Sequence, residues 1–163
     1  MKIPVTLNGS KIELEASPDE SLMKVLRKYK YMSVKEGCNK GFCGSCTVLL
    51  DNNPVASCKV PVGLVKDGDI VTLDYFRKTQ ECAEILKGFS KAGIELCGYC
   101  DAGKIFSAYE ILKMNKMPTR KEISEKIKHL SPCCTDMETL VNGILHAINI
   151  RNSNYERITV PGR

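Results

Sequence analysis

What this chain does without narrows its possible roles. Its 163 residues contain no run of about 18 apolar residues, so no membrane-spanning helix is expected. The first residues, MKIPVTLNGSKIELE, lack the apolar core of a secretory signal and read as a pair of strands. A cytoplasmic location is therefore expected. No stretch of Lys and Arg is interleaved with aromatics, and the net charge of +5 is spread evenly over the two halves, which argues against nucleic-acid binding. There is no G-x-x-x-x-G-K phosphate loop, and neither a Ser/His/Asp set nor a carboxylate pair stands out, so no bond-making catalytic residue is assigned. The only two histidines, His129 and His146, lie in helical segments and lack the loop spacing of a Rieske ligand pair. Met23, Met32, Met114, Met117 and Met137 read as packing residues.

What the chain does have is nine cysteines. Without a secretory signal they point to metal ligation before disulfides. Within EGCNKGFCGSCTVLLDNNPVASC, Cys38, Cys43 and Cys46 follow C-x4-C-x2-C, and Cys58 arrives after a short hairpin. This is the spacing of a plant-type [2Fe–2S] ligand set. A zinc ribbon would instead show two C-x2-C pairs farther apart. Gly37, Gly41 and Gly44 let the loop curl and bring backbone N–H groups close to the sulfurs.

The surrounding pattern predicts an α+β chain. Ile3, Val5 and Leu7 alternate on one side of Asn8-Gly9, and Ile12 and Leu14 on the other, a hairpin signal. Ser17-Pro18-Asp19-Glu20 predicts the start of a helix running to about Tyr29. Strands at Thr47–Leu50, Val55–Ser57 and Ile70–Leu73 complete a small sheet crossed by one helix, the β-grasp arrangement of plant-type ferredoxins. The first domain is expected to span residues 1–76. Residues 77–163 read as a helical domain with a polar, extended tail after Arg151. Its four helices carry Cys82, Ile85, Leu86 and Phe89; Ile105, Phe106, Tyr109 and Leu112; Ile123, Ile127 and Leu130; and Leu140, Val141, Ile144, Leu145 and Ile148. Asp101, Thr119 and Thr135 are the expected caps of the last three.

A second cysteine group lies in this helical half. Cys97-Gly98-Tyr99-Cys100 and Cys133-Cys134 each precede a helix, whose unsatisfied N–H groups and positive dipole end suit thiolates. A C-x2-C alone could equally be zinc-binding or redox-active. Two cysteine pairs at paired helix starts can form a second four-thiolate site.

With these residues in place, the chain resembles the small iron–sulfur subunit of the xanthine dehydrogenase family of molybdenum hydroxylases. EGCNKGFCGSCTVLLDNNPVASC is similar to E-G-C-x-x-G-x-C-G-x-C-T-V…S-C, and the helical half follows the family's plan. The resemblance covers nearly the whole length. It implies two [2Fe–2S] clusters, one toward FAD on a medium subunit and one toward molybdopterin on a large subunit. This chain would relay electrons between them. Three departures stand out. Leu96 occupies the family's glutamine position, Cys100-Asp101-Ala102-Gly103 replaces C-T-P-G, and Pro132-Cys133-Cys134-Thr135-Asp136 replaces C-R-C-T-G. Cys134 matches the last ligand, and Cys133 would substitute from one residue along. Adjacent side chains point in different directions, so both ligate only if the backbone twists. Three outcomes stay open: Cys133 and Cys134 both ligate, Cys82 or a non-cysteine group is recruited, or the second cluster is missing. A single-cluster carrier or a scaffold is the alternative role. The structural alternative for Cys82 is a small buried hydrophobe.

Overall fold

The computed structural model describes residues 1–114, 116–130 and 134–159. Asn8 and Gly9 both take positive φ (52° and 82°), as a two-residue hairpin requires. They join β1 (Lys2–Leu7) to β2 (Ser10–Glu15) in antiparallel register, Val5 facing Ile12. A second hairpin joins β3 (Thr47–Leu50) to β4 (Asn53–Ala56), and β5 (Asp69–Val71) lies between β1, to which it runs parallel, and β3. The sheet order is β2-β1-β5-β3-β4. The helix α1 (Leu22–Lys28) crosses it and buries Leu22, Met23, Val25 and Leu26 against Ile3, Leu14, Val48 and Ile70. This is the β-grasp sheet expected from the sequence.

Where α1 begins differs from the expectation. The cap is Ser21, whose Oγ accepts from Lys24 N, and not Ser17. Ser21 is held extended by pairing around it: Leu22 N donates to Val60 O at 2.8 Å, and Val62 N to Glu20 O at 2.8 Å. Pairing with a distant segment there overrides the capping signal at Ser17.

The second half is helical: a short α2 (Leu73–Phe76), then α3 (Gln80–Lys91), α4 (Asp101–Leu112), α5 (Arg120–Ile127) and α6 (Met137–Thr159). Phe89, Ile105, Phe106, Ile123 and Ile144 fill its core, which also takes Leu49 from β3 and Leu73 and Phe76 from α2. Phe76 packs its ring 5.1 Å from Phe106 and 5.0 Å from Tyr109. Tyr109 Oη donates to Asn52 Oδ1 at 2.9 Å, seating α4 on the β3–β4 turn.

Residues 152–159 are helical and not extended. Asn154 Nδ2 donates to the buried Glu84 Oε1 of α3 at 2.9 Å, and Arg151 and Tyr155 face Tyr109 and Lys113 across a surface cavity. Tertiary contacts thus continue a helix that its polar residues alone would not sustain. Two caps also shift. Asp101 is the first residue of α4 and not its cap, which is Cys100. Asp136 and not Thr135 caps α6, through Thr139 N at 2.8 Å. Met23 is buried and Met114 and Met137 pack against the helical core, whereas Met32 and Met117 are exposed.

The capping box of α5 forms as expected: Glu122 N donates to Thr119 Oγ1 at 3.2 Å, and Thr119 N to Glu122 Oε2 at 2.7 Å. The Thr119 N–H, with help from Lys116, holds the Glu122 carboxyl down at about 2, against an ordinary 4.5. A depressed carboxylate stabilises the fold above its unfolded pKa, and that stability is lost as pH falls through its folded value. The stability advantage of the wild type over Glu122→Gln is therefore expected to be full at neutral pH. It should shrink between about 4.5 and 2, read by denaturant unfolding at a series of pH values.

Candidate metal centres

The loop between α1 and β3 is shaped by its need to bring thiols and backbone donors together. Asn39, Gly41 and Gly44 take positive φ (54°, 86° and 78°), so the peptide planes turn inward. Lys40 N and Cys43 N donate to Cys38 Sγ at 3.3 and 3.4 Å, and Cys38 N donates to Cys43 Sγ at 3.4 Å. Cys58 N donates to Cys46 Sγ at 3.4 Å. Cys38 interacts with Cys43, and Cys58 chiefly with Cys46 but also with Cys38. Burial pushes the Cys38 thiol up, but the N–H groups of Cys43, Lys40 and Phe42 outweigh it and bring its pKa down to about 6. Burial pushes Cys58 up to about 11, with the Cys46 thiol adding to the effect. In the free loop the backbone N–H groups thus favour the thiolate form of Cys38, while burial disfavours that of Cys58.

These residues fit an iron–sulfur cluster. The donors are thiols with N–H groups aimed at the sulfurs, and the cradle needs a bare backbone, since a Cβ on Gly37 would stand 2.8 Å from Cys43 Sγ.

The second group gathers at the start of α4. The sulfurs of Cys97, Cys100 and Cys134 all lie within 4.8 Å of one another, and those of Cys97 and Cys100 are 4.0 Å apart. The N–H groups of Tyr99 and Cys100 lower the exposed Cys97 thiol to about 7. Cys100 is buried and Cys134 half-buried. Cys133, expected as the fourth thiol, and Pro132 lie outside the described residues. Cys82 is not part of the gathering. It is fully buried in the helical core on α3, where desolvation raises its thiol to about 11. Leu96 packs against the same core.

Several residues that shape this second site carry no motif of their own. Asp101, in the first turn of α4, accepts from Gly98 N at 2.9 Å and pairs with Arg77 Nη2 at 2.9 Å, pinning the Cys97–Cys100 loop. Lys104 is only 2% exposed and donates from Nζ to Cys100 Sγ at 2.8 Å. The clue to it in the sequence is its i+4 spacing from Cys100, which puts both on one helix face. The two thiol loops also touch. Tyr99 Oη donates to Glu36 O, and Gly44 of the first loop packs on Gly103 of α4 so tightly that a Cβ on Gly103 would stand 2.8 Å from Gly44 Cα.

Residues 5–70 match the 2Fe-2S iron-sulfur cluster binding domain and residues 72–145 the [2Fe-2S] binding domain. A ferredoxin-like sheet and a helical unit of these two kinds define an iron–sulfur protein. The chain is 35% identical to the nicotinate dehydrogenase small FeS subunit of Eubacterium barkeri, over 75% of this chain and 78% of that one. It is 32% identical to the xanthine dehydrogenase iron-sulfur-binding subunit of Escherichia coli O157:H7, over 88% and 91%. Quinoline 2-oxidoreductase from Pseudomonas putida 86 superposes with a TM-score of 0.81 at 29% identity, over 93% of this chain and 96% of the matched one. The chain belongs to the small iron–sulfur subunits of the xanthine dehydrogenase family of molybdenum hydroxylases, and is thereby a component of an oxidoreductase.

Among the described residues, no helix is long and apolar enough to cross a membrane.

Proposed function

We propose that this chain is a two-centre electron relay in a molybdenum hydroxylase complex. It carries electrons from a molybdopterin centre on a large partner subunit toward FAD on a medium subunit, in the cytoplasm. Cys38, Cys43, Cys46 and Cys58 hold one [2Fe–2S] cluster; Cys97, Cys100, Cys133 and Cys134 hold the other. The observation that carries this reading is the gathering of Cys97, Cys100 and Cys134 within 4.8 Å, with Cys97 and Cys100 on a loop in contact with the first thiol loop.

When bound, each cluster supplies a one-electron couple. The chain's own residues do the rest. The backbone N–H groups at Cys38, Lys40 and Cys43 offset negative charge on the sulfurs and bear on the potential. Arg77 and Asp101 fix the second loop against the first turn of α4. Gly44 and Gly103 permit the close approach that a relay needs. Substrate chemistry belongs to the partner subunit. The domain division that serves this role is 1–76 for the first centre and 77–163 for the second.

Quantified iron with electron paramagnetic resonance of the reduced protein is expected to give iron for two clusters and two distinct signals. Purification from its source is expected to bring down a large and a medium subunit. Iron for one cluster would reduce the chain to a single-centre carrier or scaffold, and recovery as a stable lone monomer would remove it from a complex.

A further inference from the structure

Lys104 is in an unfavourable place for a cation. It lies in the first turns of α4, where the helix dipole presents its positive end, and it is buried at 2% exposure. Taking an ammonium out of water is costly unless an anion and hydrogen bonds compensate. Lys104 Nζ reaches Cys100 Sγ at 2.8 Å, the geometry of a charge-assisted hydrogen bond to a thiolate. Among the described residues, no thiol of the first site receives a charged side-chain donor of this kind: the contacts there come from backbone N–H groups. The two sites are therefore electrostatically unequal.

We propose that Lys104 sets the reduction potential of the second cluster, holding it above the value its thiolates alone would give. This rests on the two-cluster reading above. One electron is added to the site from a one-electron reductant. No bond forms or breaks in that step. A fixed cation against the ligating sulfur stabilises the more negative, reduced state more than the oxidised one. The consequence is directional: the centre beside α4 holds electrons more readily than its ligand set predicts.

The test is a potentiometric titration of the full chain with both clusters loaded, followed by paramagnetic resonance, with Cys43→Ser used to assign the signals. In Lys104→Met the reduced-to-oxidised ratio of the second cluster at a given potential is expected to fall at least tenfold, a midpoint lower by about 59 mV for one electron. The first cluster's midpoint should stay in place. Lys104→Arg, which keeps the charge, should restore most of the difference. An unchanged second midpoint in Lys104→Met with both clusters present overturns the proposal, as does an equal shift of both midpoints. Should Lys104→Met lose iron, Lys104→Gln takes its place with the same expectation. Iron loss in both but not in Lys104→Arg makes the residue structural and also overturns it. Wild-type protein with iron for a single cluster is a different result: it removes the two-cluster reading itself, and this proposal with it.

Discussion

Cys43→Ser is expected to halve the iron bound per chain and to abolish one of the two paramagnetic signals, while Cys82→Ser leaves both iron and signals intact. The contrast isolates position from chemistry. Cys43 Sγ receives Cys38 N at 3.4 Å, and its own N–H serves Cys38 Sγ at 3.4 Å, so its sulfur is locked against Cys38. A serine hydroxyl there keeps its proton near neutral pH and is a far poorer partner for iron than a thiolate. Cys82 has the same functional group but is fully buried in an apolar core with its thiol raised to about 11, the environment of an inert structural cysteine. Full iron content in Cys43→Ser, or loss of iron in Cys82→Ser, would sink the ligand assignment.

The second large effect is expected at the seam between the loops. Gly103→Ala places a methyl 2.8 Å from Gly44 Cα and 3.0 Å from Gly44 O. Both are backbone atoms, so neither can swing aside, and overpacking of this kind costs about 1–3 kcal/mol. Gly44→Ala meets Gly103 Cα at 2.9 Å and must also hold a φ of +78°, a left-handed conformation worth roughly 1–2 kcal/mol more in cost. Both variants should unfold at lower denaturant concentration than wild type, Gly44→Ala the lower of the two. Both should pass electrons between the centres more slowly in rapid-mixing reduction. The two replacements sit on opposite sides of one contact, so their effects are not expected to add. A Gly103→Ala protein as stable and as fast as wild type would show that the seam has slack.

Much of this was legible in the residues, for reasons that are local. The C-x4-C-x2-C spacing is set by the loop that must wrap a cluster, and Asn8-Gly9 is set by a turn that needs two positive φ values. Thr119 and Glu122 close their capping box within four residues. Signals failed where a distant segment decided the outcome. Ser17 looks like a helix cap, but pairing of residues 20–22 with 60–62 moves the start to Ser21. The polar run after Arg151 looks extended, but α3 holds it as helix through Glu84 and Asn154. Lys104 reads as one polar residue in a helix; its i+4 spacing from Cys100 is the sole hint in the sequence, and its burial against that thiol is what marks it out. The bond from Tyr99 to Glu36 spans 63 residues, a separation that no motif encodes.

Strand β3 sends Val48 into the core beneath α1 and the next residue, Leu49, into the core of the helices. A strand whose consecutive side chains belong to opposite interiors leaves the chain without a hinge. Drawing the thiol loops apart means pulling out one of those side chains, a loss of about 1.5–3 kcal/mol for either, before the Phe76 and Tyr109 contacts are counted. Thermal motion at that cost is rare. In the proposed relay, the gap between the two centres is accordingly built into the folded chain, and assembly would have only the outer two distances left to set.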